Sequence, residues 1–155
     1  MNDDARPDRA FPDRPHVAVG VVVLNRHGAL LIQRGTPPRK GQWSIPGGGQ
    51  ELGETVRETA VREVSEETGV QIECGPLVDV LDTVFRTDDG RVEYHYTLVD
   101  FAARVADDAQ PRAGEDVLDA RFVPLEQLDE YGLWDETRRI ILAAAEILGE
   151  SAQSA

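Results

Sequence analysis

The chain has 155 residues, 29 of them acidic and 16 basic, and carries a net charge of −13, which disfavours nucleic acid and anionic membrane surfaces as nonspecific partners. A lone cysteine, Cys74, leaves neither a disulfide framework nor a cysteine metal site and fits a reducing cytoplasm. The length suits one domain with a proper core, the hydrophobic fraction of 41% is ordinary, and no apolar run has membrane-spanning length or the form of a signal-peptide core.

Residues 1–15 (MNDDARPDRAFPDRP) are polar and punctuated by proline, and they are expected to form a mobile, disordered tail ahead of a single domain over 16–150; residues 151–155 form a second short tail. Residues 17–24 are continuously apolar and β-branched, the pattern of a strand buried on both faces. A turn at 25–28 (NRHG) leads into a second strand over 29–34. After a loop at 36–41 come a short apolar piece at 43–45 and a Pro-Gly-Gly-Gly sequence read as a tight turn. Two strands over 78–85 and 92–101 flank TDDG, which predicts a hairpin. A short strand at 120–123, a short helix at 124–130 and a longer one at 135–148 complete the chain. Strands and helices mix without regular alternation, so the class is α/β in one compact domain.

Residues 48–70 (GGQELGETVRETAVREVSEETGV) hold six glutamates. Thr55 and Glu58 have capping-box spacing and Gly69 is a stop signal, so a helix is predicted between them. At about 100° per residue, Val56, Ala60, Val61, Val64 and Thr68 gather on one side. Glu63, Glu66 and Glu67 share an adjoining arc and can converge on one point. Most acidic helix faces are merely solvated. These three glutamates instead border the apolar side and follow a glycine run that permits close backbone approach. Hard divalent cations take oxygen ligands of this kind, and they commonly hold a phosphate as well.

The stretch resembles the Nudix box, G-x5-E-x7-R-E-U-x-E-E-x-G-U with U aliphatic, through Gly48, Glu54, Arg62, Glu63, Val64, Glu66, Glu67, Gly69 and Val70. VAVGVVVL, WSIPGG and ARFVPLEQL are also similar to Nudix hydrolases, which extends the likeness from about His16 to about Leu148. The resemblance implies the Nudix fold, an α/β/α sandwich around a mixed β-sheet. It also implies Mg²⁺-dependent hydrolysis, with Mn²⁺ as a substitute, of a nucleoside diphosphate linked to another group. By position, Glu63, Glu66, Glu67 and the Gly47 carbonyl would be metal ligands. Arg62 would orient Glu63, and Glu54 would support the site from its edge.

Outside the box, Arg34 resembles the family's arginine that reaches a substrate phosphate. Asp116, next to Glu115 in the loop before the last strand, resembles an acidic residue that approaches the metals or acts as general base. Phe85 is a candidate for stacking on a base, whereas Trp43 reads as core. The layout of residues 75–104 resembles ADP-ribose pyrophosphatase-like members, although Phe85 and Arg86 stand where the ADP-ribose-cleaving branch has a proline. A nucleoside triphosphate pyrophosphohydrolase is the alternative substrate reading, and a non-catalytic, nucleotide-sensing Nudix module is a third. A small nucleotide is the expected partner. Homodimers are common in the family, but no interface can be located from the residues.

Overall fold

The computed structural model describes residues 9–37 and 39–149. Seven strands form one mixed sheet: β1 (His16–Asn25), β2 (Gly28–Arg34), β3 (Trp43–Ser44), β4 (Gly47–Gly49), β5 (Leu77–Arg86), β6 (Val92–Arg104) and β7 (Val117–Val123). Among the described residues, two α-helices, α1 (Val56–Thr68) and α2 (Asp135–Ile147), and a 3₁₀ helix over Leu125–Tyr131 accompany the sheet. The central strand β1 runs parallel to β6 and antiparallel to β2 and β4, while β5 closes one edge against β6.

Alternation along β1 builds the sandwich. Val19, Val21 and Val23 pack with Ala60 and Val64 of α1, whereas Val22 and Leu24 pack with Ile140, Ile141, Ala144 and Ala145 of α2. Successive side chains of a strand face opposite ways, so an unbroken apolar run is what a strand covered by a helix on each side requires. This is the α/β/α arrangement around a mixed sheet that the resemblance implies. No helix among the described residues is long and apolar enough to cross a membrane.

Three local expectations need revision. The glycine triplet is strand β4, not a turn, with Gly47 opposite Gly20, Gly48 opposite Val19 and Gly49 opposite Ala18. Glycine is required at its first position, because a Cβ on Gly47 would stand 2.1 Å from the Val19 carbonyl oxygen. The last strand starts at Val117, three residues before the apolar signal, since its pairing with β2 reaches Arg34. On α1 the buried positions are Thr59, Ala60, Val64 and Thr68, so Val61 lies at the margin of the apolar face.

Of the expected tail, residues 1–8 lie outside the described residues. Residues 9–15 run beside the start of β6, where the Phe11 N–H donates to the Glu93 carbonyl at 2.8 Å and the Arg91 guanidinium lies 4.5 Å from the Phe11 ring centre. The short C-terminal tail, 151–155, also lies outside the described residues.

Candidate active site on the glycine strand

Helix α1 begins as its sequence dictates. The Thr55 hydroxyl accepts from the Glu58 N–H at 3.1 Å and the Glu58 carboxylate accepts from the Thr55 N–H at 2.9 Å. Such a cap contributes about 1 kcal/mol and fixes the helix start, hence the direction of every later side chain. The far end is held too. The last-turn carbonyls of Glu67 and Thr68 accept from the N–H groups of Gly114 and Arg112, at 2.9 and 2.8 Å. A Cβ on Gly114 would stand 2.0 Å from the Glu66 carbonyl oxygen, so only glycine lets this loop seat there.

Arg62 sits at the hub of the carboxylates. Its Nε and Nη2 donate to the two oxygens of Glu54 at 2.6 and 3.0 Å, and its Nη1 donates to Glu63 at 2.9 Å and Glu66 at 3.2 Å. A further bond from Nη2 reaches the Gly49 carbonyl at 3.0 Å. Paired, planar donation of this kind is stronger and more directional than a neutral contact. The Arg62 hydrogen bonds hold the Glu54 carboxyl at about 2, assisted by the Glu51 N–H and the Thr59 hydroxyl, and Glu54 in return raises Arg62.

The glycine strand meets this group from the other side. The Glu63 carboxylate occupies the space where a Gly48 side chain would be, with its Cδ 2.4 Å from an ideal Cβ position. The Gly47 N–H donates to Glu67 Oε1 at 3.0 Å. Burial pushes the Glu67 carboxyl up to about 8; the Gly47 N–H and the Arg34 charge oppose this, and the charges of Glu63 and Glu66 add to it. Glu66 has a side chain 59% exposed, so it stands at the open edge.

The structure therefore gathers Gly47, Glu54, Arg62, Glu63, Glu66 and Glu67 into one site, with Arg34 close enough for its charge to be felt at Glu67. Asp116 is exposed in the loop beside the end of β2, where its carbonyl accepts the Gly35 N–H at 3.0 Å. Phe85 lies on edge strand β5 with Arg39 over its ring at 5.3 Å. Trp43, read as core, packs partly buried beside the α2 cluster. Gly49 and Gly114 are structural members of the site that sequence reading missed. Their roles depend on loops that approach from distant parts of the chain.

Among the described residues no three carboxylates close into a ready-made cation cage. The donor set nevertheless suits a hard divalent cation. It offers only oxygen, and it includes a buried carboxyl, Glu67, whose ionised form burial disfavours.

A mixed sheet between two helices, with arginine-sorted glutamates lying on a glycine strand, defines the class as an α/β/α sandwich of the Nudix type. The NUDIX domain family model matches residues 14–144, and the chain belongs to that family. The chain is 37% identical over 114 residues to the ADP-ribose pyrophosphatase of Methanocaldococcus jannaschii, covering 74% of this chain and 64% of that protein. It is 32% identical over 140 residues to the putative mutator protein MutT4 of Mycobacterium tuberculosis, covering 88% of this chain but 50% of that one. Thus the chain spans between half and two thirds of these two relatives. Nucleoside triphosphatase NudI of Escherichia coli is 31% identical over 131 residues, covering 77% of this chain and 89% of that protein. Among solved structures, a MutT NUDIX hydrolase from Burkholderia pseudomallei superposes with a TM-score of 0.71 at 27% identity, covering 84% of this chain and 98% of that one. The NUDIX domain of Shewanella oneidensis NrtR, solved with ADP ribose, shares the fold with a TM-score of 0.73 at 22% identity, covering 96% and 99%.

Proposed function

We propose that this chain hydrolyses a phosphoanhydride bond in a nucleoside diphosphate linked to another group, with an ADP-ribose-like compound as the favoured substrate. The observation that carries the reading is the seating of two carboxylates on one glycine strand, Glu63 over Gly48 and Glu67 on the Gly47 N–H. Glu63, Glu66, Glu67 and the Gly47 carbonyl would hold Mg²⁺, or Mn²⁺ in its place. A bound divalent ion supplies charge neutralisation of the diphosphate and acidifies a coordinated water.

The chain's own residues have separate tasks. Arg62 fixes the rotamer of Glu63 and is itself fixed by Glu54, so the carboxylates are oriented before substrate arrives. Arg34 binds a substrate phosphate, and Asp116 accepts the proton of the attacking water. Phe85 offers its ring to the base. The favoured substrate draws support from the relative named ADP-ribose pyrophosphatase.

A nucleoside triphosphate is the second reading, favoured by the likeness to NudI, which extends over 89% of that protein. A panel of nucleotides assayed with Mg²⁺, with products identified by mass, separates the two. AMP from ADP-ribose at the best kcat/KM supports the first, and phosphate or pyrophosphate released from a nucleoside triphosphate at the best kcat/KM supports the second. Tight binding without turnover of any of them would make the chain a sensing module.

A further inference from the structure

The two faces of β4 carry opposite charges. Gly48 turns toward α1 and is covered by the Glu63 carboxylate, while Gly49 turns the other way and is covered by the guanidinium of Arg9. A Cβ on Gly49 would stand 2.6 Å from Arg9 Nη2 and 3.1 Å from its Nη1, so the guanidinium lies on the strand itself. The Gly49 carbonyl meanwhile accepts from Arg62 at 3.0 Å, which places Arg9 one peptide away from the carboxylate hub.

This position is built. The segment that carries Arg9 is tied to β6 by the Phe11 N–H bond to the Glu93 carbonyl, and Arg91 covers the Phe11 ring. Among the described residues none gives Arg9 an ion pair, in a chain with 29 acidic side chains against 16 basic ones. Arg62 has no such latitude, because Glu54, Glu63 and Glu66 already take its donors. A guanidinium with no ion pair among the described residues, one peptide from the carboxylate hub, offers the positive charge that an anionic phosphate group requires.

We infer that Arg9 is a substrate-binding residue, contacting the phosphate of the nucleoside diphosphate that lies away from the glutamates, and that residues 9–15 are part of the binding site. This rests on the diphosphate reading above. Because Arg9 stands across the strand from the glutamates, its contact is the same in ground and transition states, so it acts on binding and leaves the chemical step alone.

The test is calorimetric titration of ADP, with Ca²⁺ present, into the full chain and into Arg9→Ala and Arg9→Lys at low ionic strength, with thermal melts of all three. The expected result is an affinity about five- to twentyfold weaker in Arg9→Ala, largely restored in Arg9→Lys, with melting temperatures unchanged. Equal affinities, or an intact chain that does not bind ADP, would overturn the assignment. Loss in Arg9→Lys equal to that in Arg9→Ala, with a lowered melting temperature in both, would make Arg9 a packing residue and also overturn it. Turnover of the nucleotide panel decides the diphosphate reading separately, since ADP affinity is measured without hydrolysis.

Discussion

Arg62 grips Glu54 through two hydrogen bonds, Nε to Oε2 at 2.6 Å and Nη2 to Oε1 at 3.0 Å, and with its remaining nitrogen holds Glu63 at 2.9 Å. A residue at the start of the box therefore sets the aim of a carboxylate in its middle. Glu54 lies just ahead of α1, and its hold on Glu63 passes through the guanidinium that both carboxylates share.

Replacing Glu54 by Gln should cost about 1.5–3 kcal/mol at neutral pH, the worth of a hydrogen bond to a charged group. The Glu54 carboxyl is held down from 4.5 to about 2 by Arg62. A lowered carboxyl stabilises the fold above the unfolded value, and that stability is lost as pH falls from 4.5 toward 2. Denaturant unfolding of both proteins should thus show a gap at pH 7 that narrows by pH 3. A gap independent of pH would show that charge at Glu54 is irrelevant.

Gly48→Ala should leave a folded protein with turnover reduced about a hundredfold, the scale expected when a catalytic group is displaced by about 1 Å. The added Cβ would lie 2.4 Å from the Glu63 carboxylate, a side chain that can swing aside, so the damage falls on the site and not on the sheet. Unchanged kcat in a Gly48→Ala protein would remove Glu63 from its assigned place.

Asp100 is 6% exposed and lies against Gly20 and Ile45, away from the glutamates. Burial, reinforced by the charge of Asp79, pushes its carboxyl up from 3.8 to about 6, against the Gly20 backbone and Arg139. The native state then binds the proton more tightly than the unfolded state, so this group weakens the fold as pH rises from 3.8 to 6. Asp100→Asn should raise the melting temperature at pH 8 and bring less gain at pH 4. Equal shifts at both pH values would contradict the assignment.

Arg34→Ala should raise KM for the substrate more than it lowers kcat, since a phosphate contact held equally before and during reaction contributes only to binding. A fall in kcat with KM unchanged would move Arg34 from binding to the chemical step.

The apolar run of β1 and the capping box of α1 were legible because each is a local pattern with a fixed period or spacing. The grouping of Glu63 and Glu66 on Arg62 was legible for the same reason, since their spacing puts them on one arc of one helix. What the sequence hid comes from approaches between distant segments. The glycine triplet reads as a turn, yet it pairs with β1, because close packing against Val19 is visible only once both strands are placed. The start of β7 at Val117 likewise depends on its partner β2, since Val117-Leu118-Asp119 carries little strand signal of its own. Arg9 gave no signal at all, because a proline-punctuated polar segment shows no period by which its contact with Gly49 could be foreseen.

The most direct measurement is turnover of ADP-ribose against Mg²⁺ concentration for the intact chain and for Glu67→Gln. Glu67 is the buried carboxyl held by the Gly47 N–H, and the change to Gln keeps its shape while removing the charge it would present to a bound cation. The expected result is hydrolysis by the intact chain that rises with Mg²⁺ and stops in excess chelator, with turnover in Glu67→Gln lower by about a hundredfold or more and the fold retained. Full turnover in chelator, or an undiminished rate in Glu67→Gln, would contradict a metal site on the glycine strand.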